Sequence, residues 1–183
     1  MSRRRMNERQ SRGVDNISTN AADLLAYFEY RARGAEAADL LSETMATAWR
    51  RIDAMPDEPT EARMWLFGIA RNTLANAERA AQRRWKLADK LRAHLTTSTP
   101  VDDDQRTIEV RDAVSRLTPD LRELIGLIHW DGFSITDAAG IIGIPASTAR
   151  TRYQAARKQL AQSLGPVDPS TDVSHLPAVS HNP

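Results

Sequence analysis

The sequence predicts an all-α protein made of two small helical domains joined by a flexible linker. Apolar residues recur at helical spacing along most of the chain, and no segment alternates apolar and polar residues as a strand would. A polar and acidic stretch over residues 88–107 separates two such regions. With 183 residues and 41% apolar composition, the chain can build two small cores.

We expect the chain to divide into five segments. They are a disordered basic arm (1–20), a first helical domain (21–87), the linker (88–107), a second helical domain (108–164) and a disordered tail (165–183). The arm is rich in arginine, and Gly13 and Asn16 make it poor helix material, so a first helix there would be short or absent. The tail carries four prolines and has little to bury.

The first domain is predicted to hold three helices. One runs from Asp23 to Arg33 and ends at Gly34. The next spans residues 35–52, and a third begins at about Glu61. Between them, Pro56 and Pro59 predict a stiff projecting loop over residues 55–61.

Two tryptophans in these helices have two possible roles. Trp49 and Trp65 could stack on nucleic-acid bases. Each also lies on the apolar stripe of its helix, which favours a place in the core. We therefore predict that both are core residues.

In the second domain, helical periodicity resumes at Val110, and four helices are expected. Thr118 and Pro119 are suited to the cap and first position of the second of these helices. The last two form a pair joined by a tight turn. Ser134 and Asp137 can cap the first of the pair, and Gly143 can end it.

The final helix of this pair has a buried side and a basic side. Ala149, Tyr153, Ala156 and Leu160 share one face, and polar residues fill the other. From Ala138 to Val167 there is no acidic residue, so the exposed face would attract phosphate. This pattern indicates a DNA-reading helix-turn-helix. The alternative is a basic helix that is merely solvated.

Composition gives no support to an enzyme, a cofactor or a metal site. The chain has no cysteine, and its four histidines share no ligand spacing. We find no Gly-rich phosphate loop and no nucleophile elbow. No apolar run approaches membrane-spanning length, and the arginine-rich start is not followed by an apolar segment. We therefore expect a cytoplasmic protein without membrane insertion.

Three segments in this order resemble a known family. They are DLLSETMATAWRRI, MWLFGIARNTLANAERAAQRR and, after the linker, LTPDLRELIGLIHWDGFSITDAAGIIGIPASTARTRYQAARKQL. The order is similar to that of bacterial RNA polymerase sigma factors of the sigma-70 family, extracytoplasmic-function (ECF) class. The resemblance implies a sigma2-like domain and a sigma4-like domain. It also implies three partners: the beta and beta-prime subunits of core polymerase, promoter DNA and an anti-sigma factor.

The resemblance also implies roles for individual residues. Core polymerase would bind Asp39, Leu40, Leu41 and Glu43. The minus-ten element would contact Arg63, Arg71, Asn72, Asn76, Arg79 and Arg83, and the loop 55–61 would capture a flipped base. The minus-thirty-five element would contact Ser147, Thr148, Arg150, Thr151, Arg152, Gln154 and Arg157. Such a protein promotes DNA melting for transcription initiation without being a catalyst.

Two other functions fit the residues less well. A conventional helix-turn-helix regulator would bind duplex DNA without polymerase, but residues 39–83 offer no ligand pocket for a sensor. A helical adaptor with no DNA role would leave the acid-free final helix unexplained.

Overall fold

A computed structural model describes residues 3–32, 36–89 and 105–164. Over these ranges the chain forms eight α-helices and one 3-10 turn, with no strand. The helices are α1 (Arg3–Thr19), α2 (Ala21–Arg31), α3 (Glu36–Arg50), α4 (Pro59–Asp89), α5 (Gln105–Ser115), α6 (Pro119–His129), α7 (Ile135–Ile142) and α8 (Ala146–Leu164), and the 3-10 turn is Ile52–Ala54. The predicted all-α class is confirmed.

The first domain is built on the long helix α4. Its 31 residues extend about 46 Å at 1.5 Å per residue. Leu66 of α4 packs with Leu24 and Phe28 of α2 and with Leu40 of α3, and all four are buried. These contacts exist because each helix places its apolar residues on one side.

Helix α1 corrects the expectation of a disordered arm. Residues 3–19 are helical, and Gly13 and Ile17 are buried. The Asn20 side chain, which is also buried, donates a hydrogen bond to the Asn16 carbonyl at 2.8 Å. The low helix propensity of this segment is overridden by its packing against the domain. In proteins, such packing supplies most of a helix's stability.

The predicted segment boundaries shift at several points. Helix α4 runs to Asp89 and α5 starts at Gln105, so both ends of the predicted linker are helical. Residues 90–104, the proposed helix breaker Gly34 and the tail 165–183 lie outside the described residues. Helix α4 begins at Pro59, two residues earlier than expected, and the Glu58 carboxylate accepts a hydrogen bond from the Glu61 amide at 2.8 Å.

The prediction that Trp49 is a core residue is wrong. Trp49 is 57% exposed, whereas the buried stripe of α3 consists of Ala37, Leu40, Thr44 and Ala48. The buried residues lie one position before those that the apolar pattern selects. The pattern misses this shift because the buried Thr44 is polar. Trp65 is half-buried and packs against the core.

The second domain comprises α5 to α8 around a small core of its own. That core contains Val114, Leu117, Leu121, Ile125 and Ala156. The Arg122 guanidinium donates hydrogen bonds to the Val114 and Leu117 carbonyls at 3.3 and 3.0 Å, which ties α6 to the end of α5. Thr118 and Pro119 occupy the predicted cap and first helical positions, although the Thr118 side chain makes no capping hydrogen bond.

The two domains also share a core. Leu124, Leu127 and Phe133 of the second domain belong to the same buried cluster as Leu66 and Phe67 of the first. The Phe67 and Phe133 rings pack edge to face, with their centres 4.8 Å apart. Helices α4 and α7 also pack directly against each other.

Candidate nucleic-acid interface

The turn between α7 and α8 has the predicted helix-turn-helix chemistry. Ser134 Oγ accepts a hydrogen bond from the Asp137 amide at 3.1 Å and donates one to Asp137 Oδ2 at 2.6 Å. Gly143 ends α7 in the left-handed conformation, with φ of +80°. The amides of Gly143 and Ile144 both donate to the Ala139 carbonyl, at 2.9 and 3.0 Å. The turn thus supplies hydrogen-bond donors to a backbone carbonyl in the last turn of α7.

Helix α8 has the two faces that the sequence predicts. Ala149 and Ala156 are fully buried, and Tyr153 and Leu160 are partly covered. The opposite face is solvent-exposed. It carries Ser147, Arg150, Thr151, Gln154, Arg157 and Lys158.

Two of the residues proposed for the minus-thirty-five element lie off this exposed face. Thr148 is half-buried. Arg152 is also half-buried, and its Nη1 lies 3.1 Å from Asp120 Oδ2 of α6. Arg152 is therefore paired with α6 at the surface, whereas Arg150 and Gln154 face solvent.

A histidine–tyrosine pair fixes α8 against α6. His129 Nε2 lies 3.1 Å from the Tyr153 hydroxyl oxygen. The two rings are stacked, with their centres 5.9 Å apart. Loss of solvation lowers the pKa of His129, and the positive charge of Arg157 lowers it further. The neutral imidazole is therefore the form that suits this contact.

The six residues proposed for the minus-ten element fall into two groups on α4. Asn72, Asn76, Arg79 and Arg83 are exposed, and Arg79 Nη2 donates to Asn76 Oδ1 at 2.7 Å. These side chains present amide and guanidinium groups, which suit base edges and phosphates respectively.

Arg63 and Arg71, in contrast, are engaged inside the protein. Arg63 Nη2 lies 3.1 Å from Asp23 Oδ2 and donates to the Asp131 carbonyl at 2.7 Å. Arg71 Nε donates to Glu123 Oε1 at 2.8 Å. The second domain therefore contacts both arginines, and Asp23 of the first domain also pairs with Arg63.

An open groove of about 390 Å³ lies where α4 meets α7. Trp65 and Asn72 of α4 line it together with Gly140 and Ile141 of α7. Arg51 also lines the groove, and its guanidinium carbon lies 5.9 Å from the centre of the Trp65 ring. Two residues of the proposed minus-ten surface, Arg71 and Asn72, thus border the junction between the domains.

The loop before α4 is held by α1 and is shorter than predicted. Met55 is only 3% exposed, and Asn16 Nδ2 lies 3.9 Å from its sulfur. Arg12 Nη2 of α1 lies 3.3 Å from Asp57 Oδ1. Because helix α4 starts at Pro59, only residues 56–58 separate the buried Met55 from α4.

The acidic face proposed for polymerase docking lies on α3. Asp39 and Glu43 are exposed one turn apart, and Leu41 beside them is half-buried. Leu40 is only 6% exposed and packs in the core. Leu40 therefore supports the helix from inside and does not contribute to an exposed surface.

Family models match both halves of the chain. The model described as Sigma-70 region 2 matches residues 20–84, and the model described as Sigma-70, region 4 matches residues 107–160. A probable RNA polymerase sigma-C factor of Mycobacterium bovis is 31% identical over 161 residues, which cover 83% of each chain. The chain belongs to the ECF RNA polymerase sigma factors.

Another ECF sigma factor agrees with this assignment. EcfG of Rhodopseudomonas palustris is 34% identical over 69% of this chain and 70% of its own. Among solved structures, the sigma factor RpoE of Bartonella quintana, in complex with the anti-sigma factor NepR, is 27% identical. It has a TM-score of 0.61 and covers 82% of this chain and 92% of its own. CnrH, in complex with the cytosolic domain of CnrY, shares the fold at 22% identity and a TM-score of 0.58.

As an ECF sigma factor, the chain binds core RNA polymerase and recognises promoters to start transcription. Over the ranges that the structure describes, no group of acidic and histidine side chains could hold a metal ion. In the same ranges, no helix is long and apolar enough to cross a membrane.

Sequence reasoning missed the residues that join the two domains. Arg31 and Asp131 form a buried ion pair, and Glu123 holds Arg71. No functional role was predicted for any of the three, although Glu123 and Asp131 lie in the third segment that carries the family resemblance. Arg31 and Asp131 are 100 residues apart in the chain, so no local pattern could reveal the contact.

Proposed function

We propose that this ECF sigma factor divides promoter recognition between its two domains. The exposed face of α8 reads the minus-thirty-five element, with Arg150, Thr151 and Gln154 toward base edges and Arg157 toward phosphate. Arginine pairs bidentately with guanine and glutamine with adenine. The observation that carries this assignment is the complete burial of Ala149 and Ala156, which turns the basic side of α8 to solvent.

In the first domain, α4 reads the melted minus-ten element. Asn72 and Asn76 are exposed and can hydrogen-bond base edges, while Arg79 and Arg83 hold phosphates. The short loop 56–58 receives a flipped base. Unstacking a base costs a few kcal/mol, and a pocket that accepts the base offsets that cost.

Core polymerase docks on α3. Asp39 and Glu43 supply exposed carboxylates, and Leu41 supplies an apolar contact at their side. We assign the beta and beta-prime subunits as the partners of this face. Because polymerase and promoter DNA are cytoplasmic in bacteria, we place the chain in the cytoplasm.

An anti-sigma factor is a further partner. The similar structure from Bartonella quintana is a complex of a sigma factor with an anti-sigma factor, which supports the same kind of control here. Such a partner would inhibit the chain by covering the α3 face.

The proposed promoter recognition is tested by run-off transcription with bacterial core polymerase on a pool of genomic fragments. We expect transcripts that require the chain and start downstream of two shared sequence elements at a fixed spacing. If the chain binds a specific duplex without polymerase but yields no polymerase-dependent start, the proposal is wrong.

A further inference from the structure

The short loop before α4, residues 56–58, is fastened at both of its ends. At one end, Met55 is buried in the core of the first domain. At the other end, the Glu58 carboxylate accepts a hydrogen bond from the Glu61 amide at 2.8 Å. Hydrogen bonds from the Glu61 and Thr60 amides lower the pKa of Glu58, so the charged carboxylate is the form that caps α4.

Helix α1 supplies a third attachment, along the side of this loop. Arg12 Nη2 lies 3.3 Å from Asp57 Oδ1, and Asn16 Nδ2 lies 3.9 Å from the Met55 sulfur. Arg12 and Asn16 are four residues apart, so they lie one above the other on the same face of α1. This face of α1 therefore contacts both the middle of the loop and its first anchor.

The packing of α1 on the 3-10 turn leaves the loop little room to move. Gly13 brings the α1 backbone so close to Ile52 that any larger side chain would overlap it. Ile17, Ile52 and Met55 belong to one buried cluster. The crevice that remains between α1 and the loop has a volume of about 10 Å³, which is room for one water molecule at most. The position of the loop is thus set by α1 as well as by its own ends.

A loop that receives a flipped base gains from being held in place beforehand. Extruding a base from the stack costs free energy, and the pocket must offset that cost. If the loop had to become ordered at the same moment, part of the binding energy would be lost to ordering it. A fixed pocket also discriminates better between bases, because its walls cannot adapt to the wrong one.

We propose that α1 positions the loop 56–58 for base capture, with Arg12, Gly13 and Asn16 as the positioning residues. None of the three is assigned a DNA contact, and each acts through the loop. The inference rests on the proposed function, which gives the loop its role in base capture and gives α1 none.

Two substitutions on α1 loosen the loop by different routes. Arg12→Glu replaces the attraction to Asp57 with repulsion, and the fold should tolerate it because both side chains are more than half exposed. Gly13→Ala keeps every charge but pushes α1 away from Ile52.

Two further variants serve as controls. Arg12→Lys keeps the positive charge beside Asp57 and should behave as the parent chain does. Arg116→Glu makes the same charge reversal in another exposed ion pair, with Asp112 on α5. It therefore reports the effect of net charge alone.

The test is run-off transcription by the full-length chain with core polymerase on templates that carry each alternative base at each minus-ten position. For the parent chain and both controls, we expect a preference of about tenfold or more at the position of the captured base. Arg12→Glu and Gly13→Ala should each lower that preference to about threefold or less. Base preference in the minus-thirty-five element should not change.

A template with a mismatched minus-ten region separates loss of capture from general weakening. Its bases are already unpaired, so less free energy is needed to extrude them. We expect Arg12→Glu and Gly13→Ala to transcribe this template within about twofold of the parent chain. Circular dichroism of the same samples identifies variants that remain folded.

The outcomes distinguish failure of the α1 role from failure of the proposed function. Folded variants that keep the parent preference, or that lose activity equally on every template, would overturn the positioning role and leave the proposed function intact. A parent chain that directs specific starts without a preferred base at any minus-ten position would overturn base capture, and the α1 role with it. A parent chain that directs no start would contradict the proposed function itself.

Discussion

Gly13 of α1 lies so close to Ile52 that a Cβ atom at position 13 would be only 2.4 Å from Ile52 Cγ1. This contact explains why a glycine occurs within a helix. It lets α1 approach the 3-10 turn, next to the loop that we assign to the flipped base.

Gly13→Ala should therefore destabilise the protein, although alanine favours helix by about 1 kcal/mol over glycine. We expect a loss of about 1–3 kcal/mol in the free energy of unfolding, because the added methyl group overpacks a buried contact. Urea denaturation measures this change. Ser18→Ala, on the exposed side of α1, is the control and should not reduce stability. If Gly13→Ala stabilises the chain, α1 does not pack as described.

The contrast between α1 and α8 shows how far the sequence can predict this fold. The caps and turn of the helix-turn-helix were predictable because Ser134, Asp137 and Gly143 act on backbone groups within a few residues. Helix α1 was not, because Gly13 and Asn16 lower local propensity and only tertiary contacts reveal their use.

The residues that join the domains illustrate a second limit. Arg63 and Arg71 read as free cations on a helix face. In the structure Arg63 pairs with Asp23 and donates to the Asp131 carbonyl of the second domain, and Arg71 pairs with Glu123 of the second domain. A single sequence carries no signal for such a pairing. Trp49 was misplaced for a different reason: the buried stripe of α3 includes the polar Thr44, which an apolar pattern does not reveal.

Two arginines of α8 should affect DNA binding in different ways. Arg150→Ala should relax base preference in the upstream element, with a loss of about 1–3 kcal/mol on the preferred promoter only. Arg157→Ala should weaken binding to all upstream sequences by a similar factor and reduce its salt dependence. Binding is measured with polymerase holoenzyme on single-base promoter variants at several salt concentrations. Equal losses on all promoter variants for both substitutions would contradict the assignment.

The burial of His129, together with the nearby charge of Arg157, should make stability depend on pH. The pKa of His129 is lowered in the folded chain, so the unfolded chain binds this proton more readily. The resulting stability is present above the unfolded pKa of about 6.5 and is lost as the pH falls through that value toward the folded pKa.

Urea midpoints at pH 8 and pH 5.5 measure this effect. His129→Gln should show a smaller loss of stability between the two values than the parent chain. The histidines outside the described residues are common to both proteins, so the difference between them isolates His129. Identical losses in parent and variant would show that His129 does not titrate as described.

The most direct test of the central claim is run-off transcription by core polymerase with a doubly substituted α3 face. We predict that Asp39→Ala with Glu43→Ala lowers chain-dependent starts by about tenfold or more, because two exposed carboxylates are lost from the docking surface. The matched control, Glu109→Ala with Asp112→Ala on α5, should retain parent activity. Undiminished transcription by the α3 variant would contradict docking through this face.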